Sequence, residues 1–190
     1  MSTRLSKFFI YKVLFGRLNY IKKKEVKNFT VNDFGCGDGM LLRYFNFKKY
    51  IGIDLNKSKI TKLKREFTNK NYLFFNENII NFKNNTQNKI SICMETFGFN
   101  TKFRKKNFIK CIKNILNSTQ KNGYFFFNIT SDLYSEDMDK LLKMNFYNIE
   151  KINYGFFNNR LPILLVRYFW FLEYFFLSKK NIFFMCIKKK

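Results

Sequence analysis

Three glycines at alternate positions, Gly35, Gly37 and Gly39, punctuate the segment V-N-D-F-G-C-G-D-G-M at residues 31–40. Glycine lacks a Cβ, so the cluster permits a tight turn and close approach of backbone to a ligand. A strand-like run, Phe29 to Phe34, leads into it, and a helix start follows. Free amides at that start favour a carboxylate or phosphate. Asp33 stands two positions before Gly35, and Asp54 closes the next strand-like run 19 positions after Gly35. A carboxylate in that place can accept both hydroxyls of a ribose, the logic of a nucleoside site. Two spacings compete for this geometry. The dinucleotide fingerprint G-x-G-x-x-G needs glycine at position 40, where the chain has Met40. The spacing present is G-x-G-x-G.

Other chemistries are excluded by composition. The 190 residues contain no histidine. That removes Ser-His-Asp triads, Cys-His dyads, histidine general bases and most zinc enzymes. Cys36, Cys93, Cys111 and Cys186 are widely spaced with no C-x-x-C, so they indicate no disulfide framework and no metal site. They fit a reducing, cytoplasmic compartment. The Cys36 thiol, a small hydrophobe, is expected to pack under the glycine turn. The net charge is 36 − 13 = +23. Such a charge ordinarily points to a polyanion or an anionic membrane. Here it is discounted. The chain has no alanine, one proline, and 29 lysines against 7 arginines, the residues that AT-rich codons specify. The lysine runs 22–24 and 188–190 read as solvated ends.

The elements that must carry the site alternate in type. At 46% hydrophobic and 21% aromatic residues the chain is no disordered segment, and its length predicts one domain over 1–190. Met40 to Phe47 reads as a short helix and Tyr50 to Asp54 as a buried strand. Asn56 caps the helix carrying Ile60, Leu63 and Phe67 at helical spacing. Tyr72 to Phe75 and Ile90 to Met94 are strand-like, and Phe103 to Leu116 is an amphipathic helix. Asn122-Gly123 marks a turn before the strand Tyr124 to Ile129. Met138, Leu141 and Leu142 make another helical stripe. Tyr147 to Tyr154 and Asn181 to Ile187 are two late strands. This alternation predicts an α/β fold, a parallel sheet covered by helices on both faces. Residues 1–28 read as a helical segment packing beside the site rather than a targeting peptide, since no small-residue cleavage site follows. Leu161 to Leu177 is apolar but only 17 residues long, interrupted by Arg167 and Glu173. It reads as an interfacial helix touching a membrane surface, a flap over an apolar pocket, or a helix packed on the sheet or a second subunit.

Residues 31–39 resemble the first motif of class I S-adenosylmethionine-dependent methyltransferases. The resemblance covers about residues 29–130 well and the rest loosely. It implies a three-layer Rossmann-like α/β/α sandwich with a seven-stranded, mostly parallel sheet whose last strand is antiparallel. It implies S-adenosyl-L-methionine as cofactor, held by a core over 29–130, with 131–190 on the substrate side. Asp33, Gly35, Cys36, Gly37 and Gly39 match the first motif. Y-I-G-I-D (50–54) resembles the second, which places Asp54 on the ribose with Leu55 beside it. N-E-N-I-I-N-F (76–82) stands where the family has an acid on the adenine amine. Here that residue is Asn78, with Ile79 as the ring contact. I-S-I-C-M-E-T-F-G-F (90–99) resembles the fourth-strand segment of the quinone-biosynthesis methyltransferases, with Met94 against the cofactor. Those relatives continue with Glu-His where this chain has Gly98-Phe99. N-G-Y-F-F-F-N-I-T (122–130) resembles the fifth strand.

A sulfonium methyl is already an activated electrophile, so orientation of the acceptor does most of the work and no histidine is required. Glu95 is the nearest candidate base, with Asp132 and Tyr134 as weaker ones. The expected acceptor is an oxygen or nitrogen of a small molecule, a glycan or a lipid-linked intermediate. RNA is the alternative that the charge favours. Against it, there is no N/D-P-P-Y motif, the sole proline being Pro162. A nicotinamide-dependent oxidoreductase is disfavoured by Met40. A partner subunit that kept the fold and lost catalysis is the remaining alternative.

Overall fold

The structure is a computed structural model that describes residues 14–16, 18–19, 30–83, 87–97, 105–130, 133–154 and 181–189. Asp132, Gly98-Phe99, the stretch Leu161–Leu177 and most of residues 1–28 lie outside them. β1 (Thr30–Phe34), β2 (Lys49–Asp54) and β3 (Tyr72–Asn76) form one half of a sheet. β4 (Asn88–Phe97), β5 (Thr119–Thr130), β6 (Phe146–Tyr154) and β7 (Asn181–Lys188) form the other. The order is β3-β2-β1-β4-β5-β7-β6 across seven strands. β1 to β5 run parallel, and β7 is antiparallel to both β5 and β6. The sheet therefore has the seven strands and antiparallel last strand expected of it.

Helices cover both faces because each presents an apolar stripe at helical spacing. On one face α1 (Met40–Tyr44) contributes Leu41 and Leu42, and α2 (Lys57–Glu66) contributes Ile60 and Leu63. Leu14 and Leu18, four apart, are fully buried in the same cluster, against Val31, Tyr50 and Phe126. On the other face α3 (Lys105–Asn117) sets Phe108, Cys111, Ile112 and Ile115 against Phe34, Phe97 and Phe127. α4 (Glu136–Asn145) adds Met138 and Leu142. Aromatic rings knit β5 to β7, with Phe127 stacked on Phe184 at 4.7 Å and 8°. Each such ring removed from water stabilises the fold by roughly 1.5–3 kcal/mol.

Three elements differ from the sequence expectation by three residues or more at one end. α1 stops at Tyr44 rather than Phe47, because Phe45 is extended, with φ −135° and ψ 137°. Extended backbone puts Phe45 and Phe47 on one side, and both are buried there. Phe47 stacks on Tyr50 at 5.7 Å. β4 runs on past Met94 to Phe97, and β5 begins at Thr119, so the Asn122-Gly123 turn lies inside a strand. It appears as an interruption of register between Asn88↔Thr119 and Ile90↔Tyr124. A Cβ at Gly123 would meet the carbonyls of Gln120 and Lys89 at 2.7 and 2.8 Å, so glycine is required where the backbones close. Among the described residues no helix is long and apolar enough to cross a membrane.

Candidate functional site

The site forms where the carboxyl ends of β1, β2 and β4 meet. β1 ends at Phe34, and Gly35, Gly37 and Gly39 then take φ of +80°, +54° and +69°. These left-handed values suit glycine. The turn is tied to β2, since the amides of Gly35 and Cys36 both donate to the Ile53 carbonyl, at 2.7 and 3.1 Å. Its ends are packed and its middle is open. A Cβ at Gly35 would overlap Thr96 Oγ1, and one at Gly39 would reach Leu63 Cδ2 at 2.5 Å. A Cβ at Gly37 would meet nothing nearer than Lys59 Nζ at 3.7 Å.

Asp54 is the last residue of β2 and is half-buried. Its Oδ2 accepts the Gly37 amide at 2.9 Å and its Oδ1 accepts the Asn56 amide at 2.8 Å. A carboxylate oxygen has two lone pairs, so each retains one for a further donor such as a ribose hydroxyl. The cradle thus fits a nucleoside. Asn56 caps α2 as expected, accepting the Lys59 amide at 3.2 Å. Leu55, 63% exposed, offers an apolar edge beside the carboxylate. Sequence reasoning missed Asn76, whose Nδ2 donates to the Asp54 and Leu55 carbonyls at 3.1 and 2.8 Å and props this corner.

Asp33 lies beneath the turn. It is 5% exposed, and Tyr50 Oη donates to its Oδ2 at 2.5 Å. Burial pushes its carboxyl up to about 7, against the hydrogen bond from Tyr50 and with help from the nearby charge of Asp54. The Tyr50 partnership was not legible in sequence. Cys36 is buried as expected, and burial, with Asp33 and Asp54 adding, raises its thiol far above the ordinary range. It remains a neutral packing group. Arg43 grips Glu66 at 2.6 Å, joining α1 to α2, and Lys59 of α2 meets Asp38 of the turn at 3.2 Å. Exposed pairs of this kind contribute at most about 1 kcal/mol each.

Asn78 follows β3 and closes a turn on itself. Its Oδ1 accepts the Ile80 amide at 3.0 Å. Asn114 of α3, also missed, donates to the Ile79 and Ile80 carbonyls at 3.1 and 2.5 Å and holds the turn down. The Ile79 side chain is only 6% exposed and packs in the α3-side core.

No family model matches the sequence, and no curated protein does. Solved structures match its fold. A methyltransferase dependent on S-adenosylmethionine from Clostridium acetobutylicum ATCC 824 aligns with TM-score 0.65 over 91% of this chain and 89% of its own, at 15% identity. N-methyltransferase NodS from Bradyrhizobium japonicum WM9, in complex with S-adenosyl-L-homocysteine, aligns with TM-score 0.62 over 87% and 81%, at 9% identity. The plantazolicin methyltransferase BpumL, in complex with the same molecule, gives 0.57 over 90% and 80%, at 14% identity. The chain has the class I methyltransferase fold.

In this methyltransferase fold the remaining predicted residues fall into two groups. Met94 is 4% exposed and packs in the cluster that holds Cys36 and Leu41. Glu95 follows it at the end of β4, partly exposed, with φ +52°. Met94 and Glu95 therefore join Asp33, Gly35–Gly39 and Asp54 around one corner. Tyr134 is engaged elsewhere. Its hydroxyl donates to Asp139 at 2.8 Å and the Lys151 ammonium sits 3.8 Å over its ring. Burial, together with the Asp139 bond, pushes its phenol upward, away from work as a base near neutral pH. Among the described residues no group of three or more Cys, Asp or Glu could hold a metal.

Proposed function

We propose that the protein transfers a methyl group from S-adenosyl-L-methionine to an oxygen or nitrogen of a small-molecule, glycan or lipid-linked acceptor. One observation carries this reading: a left-handed glycine turn whose Gly37 amide is held by Asp54, a carboxylate with lone pairs to spare. The bound forms of NodS and BpumL support the cofactor. BpumL, a plantazolicin methyltransferase, supports a small acceptor over a polymer, and NodS, an N-methyltransferase, supports a nitrogen acceptor.

S-adenosylmethionine supplies an activated sulfonium methyl when bound. The protein's own residues hold and orient. Asp54 would accept the ribose hydroxyls, Leu55 would line the nucleoside, and Asn78 would face the adenine. We assign Glu95 as the carboxylate that takes a proton from an acceptor. Orientation alone can contribute up to roughly 7–11 kcal/mol. Four buried, unpaired cysteines support a reducing compartment, which we take to be the cytoplasm.

The test is calorimetry with S-adenosylhomocysteine, followed by incubation of protein, methyl-labelled S-adenosylmethionine and fractionated lysate of the source cell. Binding, with label in solvent-extractable or glycan material, is the expected result. Label in nuclease-sensitive material would overturn the small-acceptor reading. Absence of binding would overturn the whole assignment.

A further inference from the structure

We propose that Asn128 is a positioning residue that holds the Met94–Thr96 turn of β4 against the glycine turn; the inference rests on the methyl-transfer reading above. Register pairs Cys93 with Phe127 and Phe97 with Ile129. Between those pairs β4 has Met94, Glu95 and Thr96 where β5 has only Asn128. The surplus makes a bulge, and bulges re-aim side chains beside sites. Glu95 adopts φ +52° in it, a conformation that an L side chain resists. Something must hold it there. Asn128 is fully buried, and its Oδ1 accepts the Glu95 amide at 2.6 Å, in place of the lost ladder partner. Thr96 passes the constraint on. Its Oγ1 lies 3.1 Å from the Met94 carbonyl and 3.3 Å from the Phe34 carbonyl, and it packs so closely on Gly35 that no Cβ fits. A continuous chain of contacts thus runs from Asn128 through Glu95 and Thr96 to the glycine turn. An aliphatic residue would fill the volume at 128 but would take away the oxygen that accepts the Glu95 amide.

The test compares wild type, Asn128→Ala and Asn128→Asp, which keeps an acceptor oxygen. In Asn128→Ala the glycine turn keeps its own ties to Ile53 and Asp54, so S-adenosylhomocysteine is expected to bind within about twofold of wild type while label transfer into lysate falls about tenfold to a hundredfold, as misplacement of the Glu95 carboxylate does. Asn128→Asp should recover most of the transfer. Transfer unchanged in Asn128→Ala, or affinity and transfer falling by the same factor, would overturn the inference. Should that variant not fold, hydrogen exchange of the Glu95 amide in the ligand-free wild type decides. Protection of about a hundredfold or more is expected, and exchange at the rate of an open loop would overturn it. A wild type that binds no S-adenosylhomocysteine overturns the methyl-transfer reading together with this one. Wild-type binding with an unaltered alanine variant overturns this one alone.

Discussion

The carboxylate of Asp54 and the amide of Gly37 meet at 2.9 Å across 17 positions of sequence, so the end of β2 latches the glycine turn. The same carboxylate accepts the Asn56 amide at 2.8 Å. Asp54→Ala removes both bonds and the proposed ribose acceptor together. Affinity for S-adenosylhomocysteine is expected to fall at least about tenfold, and stability by about 1–2 kcal/mol. Asp54→Asn should fall between the two proteins. Calorimetry and urea unfolding check this, and an unaltered affinity would remove Asp54 from the ligand site.

Gly35 and Gly37 share positive φ but not surroundings. An added methyl at Gly35 overlaps Thr96 Oγ1, whereas at Gly37 it makes only ordinary contact with Lys59 Nζ at 3.7 Å and the Gly35 carbonyl at 3.9 Å. Left-handed backbone alone costs about 1–2 kcal/mol at either site. Gly37→Ala should therefore lose about that much stability and, because strain there disturbs the amide latched to Asp54, most of its cofactor affinity. Gly35→Ala should be the less stable of the two. Thermal unfolding of both variants, with cofactor titration of Gly37→Ala, separates the effects. Equal melting temperatures would contradict the packing described.

Asp33 predicts a pH dependence. Burial pushes its folded-state carboxyl up to about 7, whereas an unfolded aspartate titrates near about 4. Between those values the folded chain keeps a proton that the unfolded chain has lost. The contribution of Asp33 to stability therefore falls as pH rises through that window, by at most about 1.4 kcal/mol per unit, and is level above it. Asp33→Asn stays neutral throughout. Urea unfolding of both proteins at several pH values should show the wild type losing stability relative to the variant as pH rises. Parallel curves would place the Asp33 titration elsewhere.

Thr130 ends β5 with a buried Oγ1 that has no hydrogen-bond partner among the described residues. A buried hydroxyl left unpaired costs about 1–3 kcal/mol. Thr130→Val keeps the shape and removes that cost, so stability should rise by about 1 kcal/mol. Denaturant unfolding measures it. A loss of stability would show that the hydroxyl has a partner.

The local pattern of the chain carried much of this. Glycines at 35, 37 and 39 with Asp54 beyond them announced the corner, because positive φ and a strand-ending acid are demands on single residues that residue type alone can meet. The Asn56 cap and the stripes on α2 and α3 were legible for the same reason, since both are set by neighbours three or four positions away. Helix α1 shows the limit. Its propensity runs on to Phe47, but the core claimed Phe45 and Phe47 for one extended face.

What folding alone decided lies between residues far apart in sequence. Nothing near Asp33 names Tyr50 as its partner, and nothing near Glu95 names Asn128. Asn114 and Asn76 read as ordinary polar residues until α3 and β3 bring them to exposed carbonyls at the site's rim. The left-handed Glu95 was invisible for a similar reason, since glutamate has no local preference for that conformation and the cost is met by a bond from another strand. Residue types and spacings along the chain thus determined which corner forms the candidate site. Long-range pairing, which depends on strand register and on where buried polar groups find partners, decided how that corner is held.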